Sequence, residues 1–247
     1  IKGKSVVKGI HMEGLRVVGD PAELATKYAE DGADEIFYSD CVASLYGRNN
    51  LDNVLREATR YVFVPITVAG GIRSRADAQR LLDAGADSVA INTAAIRDPA
   101  LIGDLAGYYG SQAITISIEA KRVGASWECY TDSGRERTGK DAIGWAGESV
   151  ARGAGAVLLT SIDQEGTRKG FDVALLKAVA DLPVPVIICG GMGCLEHLNA
   201  VKEYAHGIAM ASCLHYGKVT ISEMRRALGQ DIIEESPRFA GRGVASV

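Results

Sequence analysis

Short apolar, β-branched runs recur along the chain, and between them lie stretches whose apolar positions repeat at helical spacing. The runs are Gly32–Asp40 (GADEIFYSD), Val64–Ile72 (VPITVAGGI), Gly85–Ala95 (GADSVAINTAA), Ala113–Glu119, Gly153–Asp163 (GAGAVLLTSID), Val184–Met192 (VPVIICGGM) and His206–Ala211. Continuous apolar runs of this length read as strands buried on both faces of a parallel sheet. A further strand end is expected at Ile1–Gly9, with a loop at Lys2–Ser5 and then Val6–Val7. Helices are predicted over Ala22–Asp31, Leu51–Tyr61, Ser74–Ala84, from Asp98-Pro99 onward, and over Asp141–Arg152, Asp172–Ala180, Leu195–Tyr204 and Thr220–Leu228. Asp20-Pro21 has the N-cap and first-turn residues of a helix start, and Gly32, Gly85 and Gly153 stand where helices stop. The polar stretch Lys121–Lys140 reads as a small hairpin or a loop.

This alternation predicts an α/β fold, and its strand spacing over about 250 residues fits a (βα)8 TIM barrel. The pattern also repeats. VPITVAGGI and VPVIICGGM begin at Val64 and Val184, and GADEIFYSD and GAGAVLLTS begin at Gly32 and Gly153. Two fused half-barrels follow from that spacing. The expected organisation is one barrel domain over residues 1–233 and a polar, Gly-rich tail over 234–247. No GxGxxG opens a strand–helix unit, which argues against a dinucleotide-binding sheet.

Composition narrows the function classes. Net charge is −4 with no long basic block, which argues against a nucleic-acid partner. No apolar run approaches the ~20 residues of a membrane span. The five cysteines (Cys41, Cys129, Cys189, Cys194, Cys213) and four histidines form no ligand spacing, so neither a metal nor a cofactor is expected. Reduced thiols point to a cytoplasmic protein.

In a barrel of this kind ligands meet the C-terminal strand ends. Those ends carry two sets of residues suited to phosphate: Gly71 with Asn92 and Thr93, and Gly166 and Thr167 with Gly191 and Ser212. Each combines glycine backbone, whose N–H groups a ligand can approach closely, with small hydroxyl or amide side chains. Two such sites on one rim imply a long substrate with a phosphate at each end. Glu119, closing a buried strand, is the candidate general acid or base. Asp40 and Asp163 are second candidates, for hydrogen bonds to substrate or for orienting Lys8. His215 lies nearest the mouth among the histidines. If the first half-barrel carries a carboxylate matching Glu119, the repeat spacing puts it immediately before Ile1, where the sequence begins without a Met.

VVKG (Val6–Gly9), GDP (Gly19–Pro21), VAGGI (Val68–Ile72), INTAA (Ile91–Ala95), RTG (Arg137–Gly139), LLTSID (Leu158–Asp163) and GTRKGFD (Gly166–Asp172) resemble the cyclase subunit of imidazole glycerol phosphate synthase. The resemblance runs nearly the whole length of the chain, in order. It implies a TIM barrel acting in histidine biosynthesis. Such a barrel joins ammonia from a glutaminase partner to a bisphosphorylated ribulosyl carboxamide nucleotide, giving imidazole glycerol phosphate and an aminoimidazole carboxamide ribotide. It further implies that Lys8, Asp40 and Thr160 contact substrate and that Glu119 stands at a catalytic aspartate position. Gly71, Asn92 and Thr93 would hold one phosphate, and Glu165, Gly166, Gly191, Ala211 and Ser212 the other. The partner would dock at the barrel's N-terminal face, around Glu35, Ser88 and Ala156.

Several positions depart from that family. Glu replaces Asp at 119, one methylene longer (~1.5 Å), and a misplacement of that order can cost on the order of 100-fold in rate. Glu165 is a second Asp-to-Glu change, in SIDQEG (Ser161–Gly166). Ser88 and Ala156 stand where a lysine and a glutamate are usual at the ammonia entrance. IHMEGLRV (Ile10–Val17), VASLYGRN (Val42–Asn49) and IEAKR (Ile118–Arg122) are similar to a paralogous branch. In that branch a cyclase-like barrel supplies ammonia to a sugar amidotransferase of surface-polysaccharide synthesis. A related isomerase of the same half-barrel design is disfavoured by Ser161-Ile162-Asp163 and the 121–140 stretch.

Overall fold

The computed structural model describes residues 1–43 and 51–229. The tail expected at 234–247, and most of the Val42–Asn49 phrase, lie outside the described residues. Strands and helices follow in the order β1 (Val6–Ile10), β2 (Glu13–Gly19), α1 (Pro21–Glu30), β3 (Ile36–Ser39), α2 (Leu51–Ala58), β4 (Ile66–Ala69), α3 (Arg75–Asp83) and β5 (Ser88–Ile91). They continue with α4 (Thr93–Arg97), α5 (Ala100–Tyr109), β6 (Ile114–Val123), β7 (Ser126–Thr131), β8 (Glu136–Asp141), α6 (Ala142–Ala151) and β9 (Ala156–Ser161). The last are α7 (Val173–Ala178), β10 (Val186–Cys189), β11 (Gly207–Ala209), α8 (Ser212–His215) and α9 (Ile221–Ala227).

The parallel sheet runs β11-β10-β9-β6-β5-β4-β3 and forms the curled wall of a TIM barrel. All four residues of β4 are buried, as are Val157, Leu159, Val186 and Ile188 from the second half. The predicted repeat is visible in the strand positions: β3 and β4 begin at Ile36 and Ile66, β9 and β10 at Ala156 and Val186. Ile1 lies alongside the end of β3, its amino group donating to the Ser39 carbonyl and its carbonyl accepting from Cys41 N at 3.1 Å. The N-terminal residue therefore ends beside the rim that carries Asp40.

Helix starts follow the local chemistry. Asp20 accepts from the N–H groups of Ala22 and Glu23 at 2.8 and 3.1 Å, with Pro21 opening the first turn. Thr220 and Glu223 form a reciprocal capping box at α9.

The structure corrects several elements. Val6–Val7 belong to an antiparallel hairpin, β1 with β2, outside the barrel wall. The sequence hid β2 because Glu13–Gly19 has no buried residue and so no apolar alternation. Glu119 does not end its strand. β6 stops pairing with β9 at Ala120, then continues to Val123 in a three-stranded antiparallel ribbon with β7 and β8. The 121–140 stretch is thus a hairpin. The helix expected over Leu195–Tyr204 is one 3₁₀ segment, Leu195–Ala200. Among the described residues, no helix is long and apolar enough to cross a membrane.

Candidate active site

The C-terminal ends of β3, β4, β5 and β6 surround a cavity of about 260 Å³. Asp40, Gly71, Asn92, Thr93 and Glu119 all line it, together with Ser117 and Ser133. The first phosphate set and the candidate acid–base residue therefore share one chamber. Asp40 is buried, and its carboxylate accepts from Val42 N at 3.0 Å. Thr93 Oγ1 accepts from Asp132 N at 3.1 Å, which leaves the hydroxyl proton for an anion. Asn92 Nδ2 donates to the Tyr130 carbonyl at 3.2 Å.

Glu119 is tied to the tip of the β7–β8 ribbon, where Gly134 N donates to Oε2 at 2.8 Å. Burial raises its carboxyl to about 7, and the nearby Asp132 charge adds to that, while Gly134, Arg135 and Asn92 pull it back. A carboxyl titrating near neutrality can both give and accept a proton at working pH. The tip itself is strained: Asp132 and Ser133 have φ of +54° and +59°, ahead of Gly134 at +76°. Left-handed backbone at non-glycine residues costs about 1–3 kcal/mol each and persists only where surrounding contacts impose it. Those contacts are Thr93 on the Asp132 N–H, Glu119 on the Gly134 N–H, and the Cys41 carbonyl, which accepts from Ser133 Oγ at 2.9 Å.

The second set gathers at the ends of β10 and β11. Glu165, Gly166, Gly191, Ala211 and Ser212 line a narrower cavity of about 20 Å³ with Cys189 and Gly190. Glycine at 191 is required: φ is +106°, and a Cβ there would lie 1.9 Å from the Gly170 carbonyl oxygen. Gly166 has φ +74°, and its Cβ would come within 2.5 Å of the Gly9 carbonyl oxygen, so the β1–β2 hairpin closes directly over this loop. Thr167 is not part of the cavity; its hydroxyl donates to the Gln164 carbonyl at 2.8 Å. Burial pushes the Cys189 thiol up to about 11, which removes it as a nucleophile at neutral pH.

Three expectations change at this site. Lys8 is oriented by Glu165, not by Asp40 or Asp163: its ammonium forms a buried ion pair with Glu165 Oε1. Glu165 therefore offers an anion no donor. Its carboxylate belongs to Lys8, and its N–H donates to the Ser161 carbonyl at 2.9 Å. Asp163 accepts from the Arg122 N–H at 2.8 Å, bracing the start of the ribbon outside both cavities. Thr160 is buried on β9, paired in register with Glu119 on one side and Cys189 on the other. His215 packs against Tyr28, whose hydroxyl lies 2.7 Å from Nδ1, and burial lowers its pKa to about 4.

The sequence did not reveal Arg73, Arg97 and Asp98 in the first cavity, nor Gly134 as the partner of Glu119. For Gly134 a signal existed: Asp-Ser-Gly between two strands is turn chemistry with positive φ. The arginines carried none. Among the described residues, no three His, Cys, Asp or Glu side chains converge as metal ligands would.

Both sets lie on one rim, because their strands are parallel and both sit at C-terminal ends. The sheet order places β9 and β6, with Thr160 and Glu119, between them. Residues 1–220 match the family model described as histidine biosynthesis protein. The chain is also 58% identical to "Imidazole glycerol phosphate synthase subunit HisF" of Legionella pneumophila over 201 residues, 81% of this chain and 95% of that relative. On these matches the chain belongs to the histidine biosynthesis protein family.

Proposed function

We propose that this protein is the cyclase subunit of imidazole glycerol phosphate synthase, a cytoplasmic lyase of histidine biosynthesis. The observation that carries the reading is Glu119, titrating near neutrality, on a strand between two anion-suited sets on one rim. Gly71, Asn92 and Thr93 bind one phosphate of the ribulosyl carboxamide nucleotide. Gly166, Gly191, Ala211 and Ser212 bind the other, beside the Lys8–Glu165 ion pair. Stretched across the mouth, the substrate presents its keto carbon near Glu119 and Asp40. Ammonia adds there, and forming the carbon–nitrogen double bond expels water. Glu119 protonates the departing oxygen, and its carboxylate then takes a proton from the cyclising intermediate. The new nitrogen bonds to the formimino carbon of the substrate, and the bond from that carbon to the nitrogen on the aminoimidazole side breaks. That nitrogen takes up the proton as the aminoimidazole carboxamide ribotide leaves beside imidazole glycerol phosphate. No cofactor takes part in this scheme.

The ammonia source is a glutaminase subunit docked on the N-terminal face. Glu35, Ser88 and Ala156 lie at that end of the strands, where the Thr67 hydroxyl donates to Glu35 and contacts Ser88. Tyr61 and Phe63, just before β4, are 56% and 72% exposed, an apolar surface suited to a partner.

That Glu35–Thr67–Ser88 chain, with Ser88 and Ala156 where a lysine and a glutamate are usual, favours a second reading: an ammonia-conducting subunit serving sugar amidation. Turnover of the bisphosphorylated nucleotide with ammonium salt, without glutaminase, separates the two. Release of both products supports the cyclase; absence of turnover and of micromolar binding leaves the conduit.

A further inference from the structure

One buried group at the ribbon tip, the Asp132 carboxylate, is not used by the mechanism above. Asp132 is 6% exposed, and its Oδ1 is buried with no hydrogen-bond partner among the described residues. Its Oδ2 accepts from Arg97 Nη2 at 3.1 Å, across from α4. Arg97 is two-thirds exposed and lines the cavity that holds Glu119. Leaving a buried carboxylate oxygen unsatisfied is costly, and a neutral side chain would hold the turn at a lower cost. Asn, for example, tolerates left-handed backbone as readily as Asp. The charge at 132 therefore serves something other than the turn.

We propose that Asp132, partly neutralised by Arg97, is a positioning residue that controls the proton carried by Glu119. The arrangement has three linked parts. Thr93 fixes the Asp132 backbone, Gly134 two residues later holds Glu119, and Arg135 returns to donate to the Asp132 carbonyl at 3.0 Å. The Asp132 carboxylate thus stands at a set place relative to Glu119. Like charges in low dielectric disfavour the second ionisation, so Asp132 keeps Glu119 protonated and Arg97 limits that effect. The other charged groups facing Glu119 or its cavity are Arg135 on the tip, Asp40 beyond β3, Arg73 after β4 and Asp98 after α4, while the Lys121 ammonium lies over the Tyr130 ring. The ion pair that Asp132 makes is with Arg97. The inference rests on the acid–base assignment of Glu119.

The test reads the Glu119 carboxyl directly by infrared titration of the full-length protein, with Glu119→Gln as the spectral reference. Asp132→Asn removes the neighbouring negative charge, and the Glu119 midpoint should fall by about half a pH unit or more. Arg97→Gln leaves the Asp132 charge unopposed, so the midpoint should rise, and Arg97→Lys should restore it. A merely structural role predicts a different outcome, because loosening the tip admits water and lowers the midpoint in both variants. Shifts of the same sign, or none, overturn the proposal. If Asp132→Asn fails to fold, the exposed Arg97 pair of variants decides alone. Midpoints that shift as expected in a protein without turnover support this inference while removing the cyclase function. Turnover with immovable midpoints does the reverse.

Discussion

Gly134 N donates to Glu119 Oε2 at 2.8 Å, joining the tip of an antiparallel ribbon to the centre of a parallel barrel wall. This bond fixes which way the longer acidic side chain points. It offsets the one-methylene extension that distinguishes Glu119 from an aspartate, because the carboxylate is held at its far end.

Glu119→Gln keeps the shape and removes the proton. The expected loss in kcat is on the order of 100- to 10,000-fold, with KM little changed. Steady-state kinetics with ammonium salt and saturating nucleotide measure both. A twofold effect would take Glu119 out of the chemistry.

Glu119 also makes stability depend on pH. Folded, its carboxyl titrates near 7 against an ordinary value of 4.5. The folded state thus binds the proton more tightly than the unfolded chain. Its favourable contribution is full below 4.5, declines as pH rises to about 7, and is gone above. Between pH 5 and 8, wild type should lose about 1–3 kcal/mol relative to Glu119→Gln, since each pH unit by which folding raises the carboxyl is worth ~1.4 kcal/mol. Urea unfolding at both pH values measures it, and parallel curves would contradict the burial of a proton-binding Glu119.

The Lys8–Glu165 pair has side chains only 9% and 12% exposed. Removing one partner strands the other, so Lys8→Met should cost about 3–5 kcal/mol. Lys8→Met with Glu165→Leu should recover most of that loss, since a well-packed apolar pair often matches a buried ion pair. A denaturation cycle on the two singles and the double tests it. Additive losses would mean the two residues do not act as a pair.

Gly191→Ala must both adopt positive φ and displace the Gly170 carbonyl, 1.9 Å from the new Cβ. Gly217 also has positive φ (+59°), but nothing among the described residues lies within 4 Å of a Cβ there. Gly217→Ala should cost about 1–2 kcal/mol, from the backbone alone. Gly191→Ala should cost distinctly more and weaken inorganic phosphate binding, measured by calorimetry. Equal costs would mean that the loop after β9 does not press on this turn.

The duplicated strands were legible because a strand buried on both faces must be almost wholly apolar, as Val157–Leu159 is and as Ile66–Ala69 is apart from Thr67. Glycine pairs ending such strands marked the two rim cavities for the same local reason. The β1–β2 hairpin was not legible, because Val17 at 70% exposed gives no apolar alternation to read. Nor could sequence pair Lys8 with Glu165, or bring Asp132 and Arg97 beside Glu119. Those contacts join residues 157 and 35 positions apart, and depend on how two connections fold back over the rim.

The central claim is that one elongated molecule is held by both ends across Glu119. Its most direct measurement is the affinity of the bisphosphorylated nucleotide against each analogue lacking one terminal phosphate, for wild type, Thr93→Val and Ser212→Ala. The account predicts that each analogue binds at least about tenfold more weakly, which is ~1.4 kcal/mol, and that each variant loses affinity only for ligands carrying the phosphate it faces. Equal affinity for all three ligands, or the same loss in both variants whichever phosphate is missing, would contradict it.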